Sequence, residues 1–252
     1  MPEAPTSTTV YTKLHRIAKQ AKDAPQMVFN NLAHLVDFEF LREAFRLTRK
    51  DGAAGVDRVT AAEYREHLGE NLQDLLGRSK FGTYKAPPVK RVHIPKDDKG
   101  NTRPIGVPTF EDKVLQRAVS LVLEAIYEQD FSDFSFGFRP KRSAHQALEV
   151  LRRTLMETGG GWVLEVDIKG FFDNLDHSHL RSILDLRVRD RGLRRLIHKW
   201  LKAGVVEGHN LSHPDAGTPQ GGVISPLLAN VWCSTNGLSE PLSRFFQARP
   251  NW

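Results

Sequence analysis

Apolar residues recur at helical spacing through most of the first half of the chain. Leu32, Leu35, Val36, Leu41, Ala44, Phe45 and Thr48 define one such face, predicting a helix that runs into the basic stretch 46–50 and stops at Asp51-Gly52. Thr60 with Glu63 three residues later is a capping-box pattern. Tyr64, Leu68, Leu72, Leu75 and Leu76 continue that second helix to a stop near Gly77. Between Val89 and Val107 the pattern turns extended, with Val92 and Ile94 in one arm, Ile105 and Val107 in the other, and Asp97-Asp98-Lys99-Gly100 between them. This predicts a β-hairpin. Thr109 with Asp112 predicts the cap of a helix carrying Val114, Leu115, Ala118, Val119, Val122 and Ile126. Ser143 opens another, with Ala144, Ala147, Leu148, Leu151 and Leu155 on its buried stripe and Gly159-Gly160-Gly161 as its stop. Trp162 to Ile168 reads as a strand, and two helical patterns follow, around Leu180 to Leu184 and from Leu193 to Leu201.

With 252 residues, 40% of them hydrophobic, the chain has enough apolar surface for a proper core. Its 36 Lys and Arg against 30 Asp and Glu favour an anionic partner, nucleic acid first. The single cysteine, Cys233, excludes an intrachain disulfide and a cysteine-rich zinc site and suits a reducing compartment, so a cytoplasmic protein is expected. Nowhere do about 18 apolar residues run together, which argues against a membrane span. Residues 1–27 read as a disordered and basic leader, Pro, Thr and Ser rich at first and basic and amphipathic from Tyr11 to Lys22. The ten histidines are scattered, and no zinc site is read from them.

Candidate chemistry concentrates in the second half. In a strand Trp162 to Ile168, Val163, Glu165 and Asp167 share one face, which puts Asp167 at the strand's end. A carboxylate there suits a hard divalent ion such as magnesium. Asp173 and Asp176 either extend that cluster or, for Asp176, cap the next helix. Ser225-Pro226 is a helix start, which leaves Gln220-Gly221-Gly222 in the loop before it. Arg187, Arg189, Arg191, Arg194, Arg195, Lys199 and Lys202 face Asp190 alone across residues 187–202. Such a run is either a solvated helix face or a track for a nucleic-acid backbone.

Two strings are more specific than any of these residues singly: Val166-Asp167-Ile168-Lys169-Gly170-Phe171-Phe172-Asp173-Asn174 and Gly217-Thr218-Pro219-Gln220-Gly221-Gly222-Val223-Ile224-Ser225-Pro226. They resemble the third and fourth blocks of reverse transcriptases of the group II intron maturase type. Segments 91–96 and 103–108 resemble the fingers hairpin of that family, 135–145 its second block, and 51–57 the block ahead of the fingers. The resemblance spans roughly Leu41 to Val231. It implies an α+β fold with right-hand polymerase fingers, an incomplete palm and a helix-rich N-terminal part. The domains it implies are an N-terminal extension with fingers (28–161), a palm strand and helix (162–186), a basic helical fingers-type insert (187–215) and a partial palm with a divergent tail (216–252).

The same resemblance implies RNA-directed DNA synthesis by two-metal nucleotidyl transfer, with Mg2+ as cofactor and RNA, a DNA primer and deoxynucleoside triphosphates as partners. It assigns catalysis and metal binding to Asp167, the triphosphate to Lys96 and Arg103, the sugar to Phe172, and the incoming nucleotide to Gln220 and Gly221. Arg187, Arg194, Arg195 and Lys199 would carry nucleic acid. The family's Tyr-Ala-Asp-Asp hairpin has no counterpart after Pro226, where Glu240 is the only carboxylate. A truncated, inactive fragment is therefore expected, and a non-catalytic RNA-binding protein that aids intron folding is the alternative.

Overall fold

The computed structural model describes residues 6–95, 100–159, 162–208, 210–213, 217–218 and 221–235. Lys96, Gln220, Gly160-Gly161 and the tail from residue 236 lie outside them. Among the described residues, helices surround one apolar core, with a small mixed sheet beside it, an α+β arrangement. At the centre is α5 (Phe110–Tyr127), whose Val114, Leu115, Ala118, Val119, Val122, Leu123 and Ile126 are all fully buried. The stripe expected from the sequence is thus the core itself, and each such aliphatic contributes about 1.5–3 kcal/mol by leaving water.

Helix α1 (Thr6–Asp23) overturns the expectation of a disordered leader. Val10, Ile17 and Ala21 are buried and Leu14 packs beside them, a stripe that lays α1 on α5 and α2. Two further helices depart from expectation, the first starting later and the second breaking in two and running past Gly77 to Phe81. The first begins only at Asp37, whose carboxylate accepts from the Phe40 amide, so α2 spans Phe38–Leu47 and Ala33–Leu35 form a separate 3-10 turn. The second has the capping box at Thr60 and Glu63 but breaks at His67 into α3 (Ala61–Glu66) and α4 (Leu68–Phe81). At the break the Asn71 amide donates to the Tyr64 carbonyl at 3.0 Å, satisfying an acceptor that a continuous helix would have used itself.

The hairpin forms as expected, β1 (Val89–Pro95) antiparallel to β2 (Thr102–Val107). The structure adds two strands to it from the region expected to be a helical insert. β3 (Val205–Glu207) runs parallel to β1, β4 (Asn210–Ser212) returns antiparallel, and the strand order is β2-β1-β3-β4. Three-residue strands are too short to announce themselves by alternation.

Two expected burials do not occur. Helix α6 (Ala144–Glu157) starts at Ser143, which accepts from the Gln146 amide, yet none of its residues is buried, and Leu148 and Leu151 lie in solvent. Trp162 to Ile168 is not a strand: it is exposed throughout and pairs with no strand among the described residues. A single segment without a ladder partner has nothing to hold it in a sheet. Beyond it come α7 (His177–Leu184), α8 (Arg191–Leu201) and α9 (Ser225–Thr235).

Candidate functional site

Three segments far apart in sequence meet at the loop ahead of α9. Gly221 lies against β2, with φ +111°. A Cβ on it would come within 2.5 Å of the Gly106 carbonyl oxygen and 2.7 Å of Ile105 Cγ2, so only glycine fits both the space and the backbone. At the other end of the loop, Gly217 has φ +89°, and a Cβ there would meet the Phe172 carbonyl at 2.7 Å. The Thr218 amide donates to the Phe172 carbonyl and the Gly217 amide to the Leu175 carbonyl, both at 2.8 Å. His177 Nε2 donates to the Gly217 carbonyl at 2.5 Å, which places the ring proton on that nitrogen. The hairpin and the 170–175 turn thereby each hold one described end of the loop ahead of α9, Gly221 and Gly217-Thr218 respectively.

A buried polar chain supports this surface from below, and sequence reasoning did not find it. Ile224 donates its amide to Gln116 Oε1 at 3.3 Å, Gln116 Nε2 donates to Asp112 Oδ2 at 3.1 Å, and Asp112 Oδ1 accepts from Trp200 Nε1 at 2.7 Å and from the Tyr84 hydroxyl. Asp112 is therefore more than the cap partner expected; its amide meets Thr109 Oγ1 at 3.3 Å, while its carboxylate ties α5 to α8 and to the loop. Burial pushes the Asp112 carboxyl up to about 6 against its three donors. Burial, and next the Asp112 charge, also hold the Tyr84 phenol well above its usual value. The available signal was a carboxylate and an amide one turn apart on an otherwise apolar helix face.

The expected site residues distribute unevenly about this framework. Phe171 turns inward, edge-on to Trp232 at 5.3 Å, and Phe172 packs edge-on against Phe171, half-buried at the turn. Arg103 stands exposed on β2 opposite Ile94, and Lys96 and Gln220 lie outside the described residues. Asp167 is exposed in the unpaired segment. Asp176 caps α7, accepting from the His179 amide and the Ser178 hydroxyl at 2.6 Å, which hold its carboxyl below the usual range. Asp173 is exposed. Among the described residues no three His, Cys, Asp or Glu side chains gather as ligands, so Asp167 by itself does not fit the two-ion magnesium site that the resemblance implies.

The basic run divides. Arg187 is withdrawn from the nucleic-acid set: its side chain is 9% exposed, pairs with Asp130 at 2.8 Å, and donates to the carbonyls of Ala21, Ala24, Pro25 and Met27. A five-donor guanidinium suits that junction, where α1 ends against the α7–α8 connection. Arg194 is half-occupied by a bidentate pair with Asp185 at 2.8 Å. Lys199 donates to the carbonyls of Gly82, at 2.9 Å, and Tyr84. Arg195 remains exposed.

Residues 94–246 match the family described as reverse transcriptase (RNA-dependent DNA polymerase). The group II intron-encoded protein LtrA of Lactococcus lactis subsp. cremoris is 41% identical over 224 residues, covering 87% of this chain and 36% of its own length. Protein YkfC of Escherichia coli K12 is 37% identical over 223 residues, 86% of this chain and 58% of its own. Nuclear intron maturase 2 of Arabidopsis thaliana is 37% identical over 97 residues, 38% of this chain and 13% of its own. Of solved structures, a Cas6-RT-Cas1–Cas2 complex is similar over 79% of this chain and 32% of its own, with a TM-score of 0.48 at 22% identity. The chain spans from about a third to somewhat over half of the length of LtrA and YkfC.

Proposed function

Since the chain belongs to the reverse transcriptase family, in its group II intron-encoded branch, we propose that its folded part is the nucleotide-facing portion of an RNA-directed DNA polymerase. The observation that carries this reading is the meeting of β2, the Phe172 turn and the Gly217–Gly221 loop, held by Gly221 against Gly106 and by Thr218 on Phe172. On this reading Arg103, with Lys96, takes the triphosphate as a forked and a point cation. Phe172 lies beneath the sugar, Gly221 and Gln220 line the pocket, and Asp167 is one of the carboxylates of the reaction. RNA and primer DNA are the macromolecular partners. Asp167 alone does not hold two ions, so nucleotidyl transfer is assigned to a polypeptide that adds the remaining ligands.

The test is a chimera in which residues 1–230 are fused to the part of LtrA that follows its matched region. Primer extension on an RNA template is expected, lost in Asp167→Ala and loosened toward ribonucleotides in Phe172→Ala. A folded chimera without Asp167-dependent extension, but with RNA affinity intact, would favour the non-catalytic RNA-binding reading instead.

A further inference from the structure

Helix α4 buries Leu72, Leu75 and Leu76, then ends on a phenylalanine that is 86% exposed, Phe81. Exposing a whole aromatic ring forfeits the burial that its neighbours gain. The chain holds it there firmly. Gly82 reverses the backbone at φ +78°, and its open face is filled by Arg195, whose Nη1 would lie 2.8 Å from a Cβ. One turn further along α8, Lys199 donates to the Gly82 and Tyr84 carbonyls and clamps the turn to α8.

The surroundings of the ring are cationic. Lys80, Lys85 and Arg195 are exposed; Lys80 feels the Asp37 carboxylate, which Lys13 already pairs, and no direct ion pair joins any of the three to a carboxylate among the described residues. Their charge is felt locally: burial, then Arg195 and Lys85, draw the Lys199 amine below its ordinary value. Lys80 and Arg195, with Ser79, also edge a cleft of about 310 Å3 over an apolar floor of Val36, Leu193 and Leu196. Exposed cations near the turn that carries a flat exposed ring, two of them edging an apolar recess, match a ligand that alternates anionic groups with flat apolar ones. An unpaired nucleic-acid strand has that chemistry, whereas a duplex hides its base faces and an acidic peptide leaves the ring unused.

We propose that Phe81, Lys80, Lys85 and Arg195 form a docking site for an unpaired polynucleotide segment, one base stacking on Phe81 and the adjoining phosphates meeting the three cations. The site rests on the family reading and lies outside the residues assigned above to the nucleotide pocket, Arg195 having been expected only to follow a backbone. It gives Arg195 a geometric task, since its guanidinium lies against Gly82, the residue after Phe81.

The test uses the full 252-residue chain, fluorescence anisotropy and three labelled probes: a 12-residue uridine strand, the matching thymidine strand and a 12-base-pair RNA duplex. Phe81→Ala is expected to weaken both single strands about tenfold, with Phe81→Trp restoring them and the duplex changing less than about twofold. Replacing Lys85 and Arg195 by Gln should lower the salt slope for the strands by about 0.7 for each phosphate no longer neutralised. Because Phe81 is solvent-exposed, its replacement leaves the core intact, and circular dichroism of each variant checks this. Strand affinity unchanged in Phe81→Ala, or equal losses on strand and duplex, overturns the site while the family reading stands. A wild-type chain that binds no nucleic acid even at low salt overturns both.

Discussion

Arg187 and Asp112 show how much of this molecule rests on single buried charges. Arg187 has its donors committed to Asp130 and to four carbonyls at the end of α1. Removing one partner of a buried pair strands the other, so Arg187→Met should cost about 3–5 kcal/mol in urea unfolding, with RNA affinity per folded molecule unchanged. Asp112 makes stability depend on pH. Its carboxyl, ordinarily near 3.8, sits at about 6, so the folded state binds the proton more tightly than the unfolded chain. That contribution is fully present below about pH 4 and is lost as pH rises through about 6, amounting to roughly 3 kcal/mol. Asp112→Asn keeps an acceptor for Tyr84 and Trp200 and removes the titration. Its stability should therefore change by about 2–3 kcal/mol less than the wild type's between pH 4 and pH 7, measured by urea midpoints at both.

Among elements, the two described ends of the loop ahead of α9, Gly217-Thr218 and Gly221-Gly222, are the most tightly specified and the 162–170 segment the least. Both ends of the loop are glycines at positive φ pressed on backbone oxygens, Gly217 on Phe172 and Gly221 on Gly106. Gly217→Ala would force the turn off Phe172, and should destabilise the protein by more than about 1 kcal/mol, seen in thermal unfolding together with faster proteolysis at residues 217–224. Asp167 has no such framework, because the segment that carries it pairs with no strand among the described residues. Helix α6 shares that condition. Its apolar stripe was legible as a pattern, but burial needs a second surface, and none of the described elements supplies one.

At the scale of the whole molecule, the proposed nucleic-acid binding and primer extension are separable properties. The 252-residue chain by itself, with magnesium or manganese and an annealed RNA template, is expected to give no primer extension above an Asp167→Ala control. Two close cations carry four positive charges, and a single carboxylate does not hold both in register. Displacing reacting atoms by about 1 Å already costs on the order of a hundredfold in rate. Extension by the wild type that vanishes in Asp167→Ala would refute this. Among the described residues no helix is long and apolar enough to cross a membrane.

Whatever local chemistry decides was legible in the order of residues. Periodicity and caps placed α5, the Thr60 capping box and the β1–β2 hairpin, and ordered strings placed the chain in its family, because these signals lie within a few residues of one another. Packing in three dimensions was needed to settle which charges are available and which segments touch. Arg187 and Arg195 are alike in sequence, yet one is sealed against the end of α1 about 160 positions away and the other stands exposed against Gly82. Gly221 likewise meets Gly106, and Gly217 meets Phe172, only in the packed chain, where Gln116 on α5 accepts the Ile224 amide just ahead of α9. A buried polar group must find its partner wherever the packed chain brings one, and that distance carries no periodicity to read.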